Sequence, residues 1–73
     1  MMIEIYGKTP CPFCDMAKNL CEMKGLKYEY FHFGKDFNRD EMLEKFPGAR
    51  TFPQIIVEGE KIGGYDQLKE KLG

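Results

Sequence analysis

Two cysteines two residues apart, within Lys8-Thr9-Pro10-Cys11-Pro12-Phe13-Cys14, are the side chains of this 73-residue sequence best suited to chemistry. Such a pair is either a dithiol redox centre or half of a metal site. Redox work needs one sulfur as thiolate, and an ordinary thiol with a pKa near about 8.5 is mostly protonated at neutral pH. Pro12 suits the first position of a helix, where its missing N–H would be unpaired in any case, and this puts Cys11 at the N-cap. There Cys11 faces the positive end of the helix dipole and several free backbone N–H groups, with Lys8 three residues upstream. All favour the anion. Cys14, in the first turn, is more covered. Cys11 is therefore expected to attack, and Cys14 to resolve mixed disulfides.

Zinc needs four ligands, and only Cys21 and His32 remain as further Cys or His residues. Cys21 lies seven residues past Cys14 on the same helical face, which argues against convergence, so no metal is expected. Cys21 is better suited to the core and His32 to an ordinary strand position. A permanent structural disulfide across so short a loop would constrain little of the unfolded chain.

The elements that must position the pair follow from periodicity. Residues 2–6 alternate as a strand. Phe13, Met16, Ala17, Leu20 and Met23 recur at helical spacing, and Lys24-Gly25 closes a helix over about 12–25. Residues 26–33, rich in Tyr and Phe, form a second strand, parallel to the first through a right-handed crossover. A short helix over 39–46 turns Met42, Leu43 and Phe46 inward, and Pro47-Gly48 ends it. Residues 54–58 form a third strand. The turn Glu58-Gly59-Glu60-Lys61 returns it as an antiparallel fourth, and a last helix covers about 66–72. The order β-α-β-α-β-β-α implies an α/β fold: a four-stranded mixed sheet with three helices, on both faces. Ile3, Ile5, Ala17, Leu20, Ile55, Val57 and Leu68 should meet at the sheet.

Two further motifs stand near these strands. In Arg50-Thr51-Phe52-Pro53-Gln54, the proline is either an ordinary strand-entrance residue or part of a cis bond that leaves the Phe52 backbone free to pair with a substrate. In Gly63-Gly64-Tyr65-Asp66, Asp66 suits an N-cap, and the same carboxylate can bind an ammonium group with Tyr65 as a wall.

Size and charge narrow the setting. Residues 1–73 read as one domain, near the lower limit for a self-sufficient core, with six Phe and four Tyr to enlarge it. The net charge of −1, with no basic stripe, points away from nucleic acid. No apolar run has membrane-spanning length, and Met1-Met2-Ile3-Glu4 is unlike a signal peptide. Three cysteines suit a reducing compartment. A cytoplasmic monomer that engages neither membrane nor nucleic acid is expected.

Taken together, the stretches 5–14, 48–55 and 62–68 resemble glutaredoxins over nearly the whole chain, and residues 63–68 also look like the small glutaredoxins of bacteriophages. The resemblance implies a thioredoxin fold and a dithiol enzyme, with no permanent cofactor and glutathione as reductant. Its substrates would be disulfide-containing proteins, with ribonucleotide reductase as one candidate acceptor. It implies that Cys11 carries the mixed disulfide with glutathione and that Lys8 and Phe13 flank the tripeptide. Phe52, before Pro53 and beside Thr51, would pair its backbone with the cysteinyl part. Gly64, Tyr65 and Asp66 would hold the γ-glutamyl end, and Arg50 matches a basic position near the glycyl carboxylate. A potential of about −200 to −230 mV would follow. Phe13 stands where tyrosine is usual, Phe52 where valine is common, and one C-terminal helix where many relatives have another. Two other functions compete. One is a glutaredoxin-like thioredoxin reduced by thioredoxin reductase, which would lack the Gly-Gly-x-Asp segment. The other is a non-enzymatic iron–sulfur or metal carrier, a role tied mainly to single-cysteine motifs.

Overall fold

Alternation in Ile3-Glu4-Ile5-Tyr6-Gly7 sends Ile3 and Ile5 to one face and Tyr6 to the other, and this strand organises the sheet. The computed structural model describes residues 2–73. Its elements are β1 (Ile3–Gly7), α1 (Pro12–Met23), β2 (Tyr28–His32), α2 (Arg39–Lys45), β3 (Gln54–Val57), β4 (Glu60–Gly63) and α3 (Tyr65–Leu72). The sheet order is β2-β1-β3-β4. β1 and β2 run parallel, with Ile5 opposite Tyr30 and Gly7 opposite His32. β3 is antiparallel to both β1 and β4. This is the expected four-stranded mixed sheet with three helices.

Each face has its own core. On the face covered by α1 and α3, Ile3, Ile5, Ala17, Cys21, Ile55, Val57 and Leu68 are buried, with Leu20, Tyr28 and Tyr30 packed against them. On the α2 face, Tyr6 sits among Phe37, Met42, Phe46 and Ile56. Its ring stacks on Phe31 at 4.7 Å and meets Phe37 and Phe46 edge-on at 5.2 Å each. Burying each large aliphatic side chain contributes about 1.5–3 kcal/mol.

Several element ends differ from the periodicity. α1 stops at Met23, because Lys24 caps it and Gly25 takes φ 68°. Phe13, Met16 and Met23 keep helical spacing but lie on the solvent side, and Leu43 does not turn inward as expected. β1 runs one residue further than its apolar alternation, into Gly7, because Gly7 still pairs with His32. β2 is shorter than residues 26–33: Leu26 belongs to the turn and Phe33 bridges to Phe37. β3 ends at Val57, because Glu58 and Gly59 both take positive φ, as a two-residue hairpin turn requires.

Cys21 lies fully buried, as its apolar helical position suggests. Burial, and then the neighbouring Glu22 carboxylate, push its thiol above the usual range. In the reduced native protein, iodoacetamide is expected to modify Cys11 readily and Cys21 only after denaturation. Labelling followed by peptide mass mapping checks this. Modification of Cys21 at the native-state rate of Cys11 would contradict its placement.

Candidate active site

The sequence around the cysteine pair folds as its residue types dictate. Cys11 is the N-cap of α1, with extended φ of −158°, and Pro12 opens the helix. The backbone N–H of Cys14 donates to Cys11 Sγ at 3.2 Å, so one of the free donors of the first turn is aimed at that sulfur. The two cysteines form a disulfide, with Cα atoms 5.2 Å apart. Cys11 keeps 8% of its surface exposed and Cys14 keeps 0%. An incoming disulfide or thiol can therefore meet Cys11 but not Cys14.

Three segments surround Cys11. The Phe52–Pro53 bond is cis, and the Phe52 carbonyl oxygen lies 3.9 Å from Cys11 Sγ. The Phe52 ring turns toward Phe33 and Phe37, with centroids 5.6 and 6.3 Å away, and Lys8 Nζ stands 5.6 Å over it. The bulk of Phe52 is thus largely taken up by an aromatic cluster. Phe13 and Tyr65 face each other across 6.2 Å. Phe13, Thr51, Phe52, Pro53, Gly64, Tyr65, Asp66 and Gln67 line one shallow groove.

Of the expected glutathione-contacting residues, Phe13, Thr51, Phe52, Pro53, Gly64, Tyr65 and Asp66 share this groove, and Lys8 stands outside its lining, over the Phe52 ring. Two details differ from expectation. Arg50 lines a neighbouring hollow with Phe33, Arg39, Met42, Leu43 and Phe52, on the α2 side of Phe52. Asp66 is not the N-cap of α3. Gly64 occupies that position, and Asp66 lies within the first turn. The physical reason is Gln67, whose Oε1 accepts the Gly64 N–H at 2.9 Å and closes the turn from below. A glutamine three residues after the cap is the usual spacing for that contact, so Gly64-Tyr65-Asp66-Gln67 carried the signal. The carboxylate of Asp66 is thereby left exposed at the groove.

Two features have no local signal in the sequence. The Thr9–Pro10 bond is also cis. Gly7 sits directly beneath Tyr30 and Cys14, and a Cβ there would stand 2.9 Å from Cys14 Sγ. His32 makes strand-end contacts: its backbone N–H donates to Asp36 at 2.7 Å and its ring meets Tyr30.

Comparison with known proteins agrees with this arrangement. The family model described as Glutaredoxin matches residues 3–62. A probable glutaredoxin of Synechocystis is 48% identical over 67 residues, which cover 90% of this chain and 62% of that protein. Glutaredoxin 3 of Escherichia coli is 39% identical, with 90% of this chain and 80% of the relative covered. The chain thus spans somewhat less than two thirds of the first relative's length. The crystal structure of a buckwheat glutaredoxin–glutathione complex superposes with a TM-score of 0.75 at 29% identity, covering 96% of this chain and 66% of that one. Model, relatives and fold agree, and the chain belongs to the glutaredoxin family of thiol–disulfide oxidoreductases, with Cys11 and Cys14 as its dithiol pair.

Proposed function

We propose that residues 1–73 act as one glutathione-dependent domain that reduces protein disulfides and glutathione mixed disulfides in the cytoplasm, with ribonucleotide reductase as one candidate acceptor. The observation that carries this reading is the groove of Thr51, Phe52, Pro53, Gly64, Tyr65 and Asp66 beside the exposed sulfur of the pair. The buckwheat relative was crystallised with glutathione, which supports the same ligand here.

The chemistry follows from which sulfur can be reached. The Cys11 thiolate attacks a substrate disulfide. That S–S bond breaks, its electron pair leaves on the departing sulfur, and a mixed disulfide forms. Cys14 loses its proton and attacks Cys11, which releases the second substrate thiol and forms the Cys11–Cys14 disulfide. Two glutathione molecules then restore the dithiol: the first opens that disulfide at Cys11, and the second displaces it as oxidised glutathione. The Phe52 backbone pairs with the cysteinyl part, Lys8 and Phe13 flank the tripeptide, and Thr51 and Pro53 shape the floor. The N–H groups of Tyr65 and Asp66 in the first turn of α3 suit the γ-glutamyl carboxylate, and Gly64 leaves room for its approach. Asp66 suits the ammonium group.

Turnover of a glutathione mixed disulfide with glutathione, glutathione reductase and NADPH tests the reading. Failure there, with rapid reduction by thioredoxin reductase, would replace it by a thioredoxin-like function. Asp66→Asn is expected to raise KM for the mixed disulfide about fivefold with kcat little changed, the effect of an exposed charge contact made equally in ground and transition states. An unchanged KM would remove Asp66 from the site.

A further inference from the structure

We propose that the Tyr30 hydroxyl is the hydrogen-bond donor that receives the Cys14 sulfur when the Cys11–Cys14 disulfide opens. The inference rests on the dithiol chemistry of the pair and is independent of which thiol serves as reductant.

The placement comes from one glycine. Gly7, at the end of β1, leaves open the space above its Cα. Tyr30 Oη, Tyr30 Cζ and Cys14 Sγ all lie under 3.0 Å from the point where a Cβ on Gly7 would stand. The hydroxyl and the sulfur are therefore neighbours over the same residue, although Tyr30 comes from β2 and Cys14 from α1. The ring has two further contacts: Lys18 Nζ lies 4.6 Å over it and the His32 ring meets it in a T-shaped contact at 4.7 Å. Among the described residues the Tyr30 hydroxyl has no hydrogen-bond partner in the oxidised form, so the donor is free.

The chemistry needs such a group. When a thiolate attacks Cys11 Sγ, a new S–S bond forms there and the Cys11–Cys14 bond breaks. Its electron pair goes to Cys14 Sγ, which is fully buried. A buried anion without a donor is costly, and this sulfur cannot turn to water. The neutral phenol supplies the hydrogen bond and keeps its own proton, and solvent later protonates the thiolate. A tyrosine is protonated at neutral pH in any case, and burial, then the Asp15 carboxylate, raise the Tyr30 phenol further. In the reverse direction the same contact favours deprotonation of Cys14 before it attacks the mixed disulfide on Cys11.

Tyr30→Phe retains the ring over Gly7 and deletes only the hydroxyl. Reduction of the Cys11–Cys14 disulfide by dithiothreitol, followed by stopped flow, is expected to slow about tenfold, the loss of one hydrogen bond to a charged sulfur. In a Cys11→Ser background, the ultraviolet thiolate absorbance of Cys14 is expected to appear at higher pH once Tyr30 is also Phe. An unchanged reduction rate in the folded variant would overturn the proposal. A slower rate with an unchanged thiolate titration would also overturn it, because it would mean that the tyrosine acts only through packing. Because dithiothreitol replaces glutathione, neither result depends on the glutathione groove.

Discussion

Replacing Cys11 by serine is expected to abolish turnover of a glutathione mixed disulfide, a loss of about a thousandfold or more, whereas Cys14→Ser should leave that reaction near its wild-type rate. The difference follows from access. Cys11 keeps an exposed edge at the start of α1 and receives the Cys14 N–H, whereas the Cys14 sulfur lies over Gly7 with no exposed surface. A mixed disulfide with glutathione can be opened by a second glutathione without help from Cys14. A mixed disulfide with a protein is harder for an external thiol to reach, so its release depends on the neighbouring sulfur. Cys14→Ser should therefore stall on protein disulfides, and the trapped covalent complex should run as one band on a non-reducing gel. Trapping through Cys14 in the Cys11→Ser variant would reverse the assignment.

The placement of the pair was legible because it is local. Cys-Pro-x-Cys after an alternating strand sets the N-cap, the first helical residue and the first turn within four positions, and the structure keeps all three. The faces of the central strands were legible for a similar reason: period two carries Ile3, Ile5, Ile55 and Val57 to one side with no need of tertiary information. Asp66 shows where local reasoning fails. Asp is a good cap by type, but Gln67 reaches back to Gly64 and sets the cap two residues earlier. Leu43 fails differently: α2 is only seven residues long and turns Met42 into the cluster with Phe37, Phe46 and Ile56, while Leu43 stays exposed. The meeting of Gly7, Tyr30 and Cys14 was not legible at all. It depends on the β1–β2 register and on how α1 lies across it, and no spacing along the chain encodes either.

That meeting carries the second large expectation, for Gly7→Ala. The backbone of Gly7 is ordinary strand that any residue can adopt, so its conformation does not require glycine. Space does. An added Cβ would stand 2.7 Å from Tyr30 Cζ and 2.9 Å from Cys14 Sγ. Neither neighbour is the loose end of a flexible side chain: the Tyr30 ring packs against the core and contacts Lys18 and His32, and the sulfur is bonded to Cys11. Overpacking of this kind costs about 1–3 kcal/mol. At roughly 4–8 °C per kcal/mol for a domain of this size, the midpoint of thermal unfolding should fall by about 10 °C. Combining Gly7→Ala with Tyr30→Ala separates the two collisions. If the ring is the main obstacle, the double variant should be more stable than the sum of the single losses predicts, because the alanine methyl then occupies part of the vacated volume. Additive losses would place the cost on the Cys14 side, where the sulfur must move. In that case the rate of disulfide reduction, not only the melting temperature, should change with Gly7→Ala.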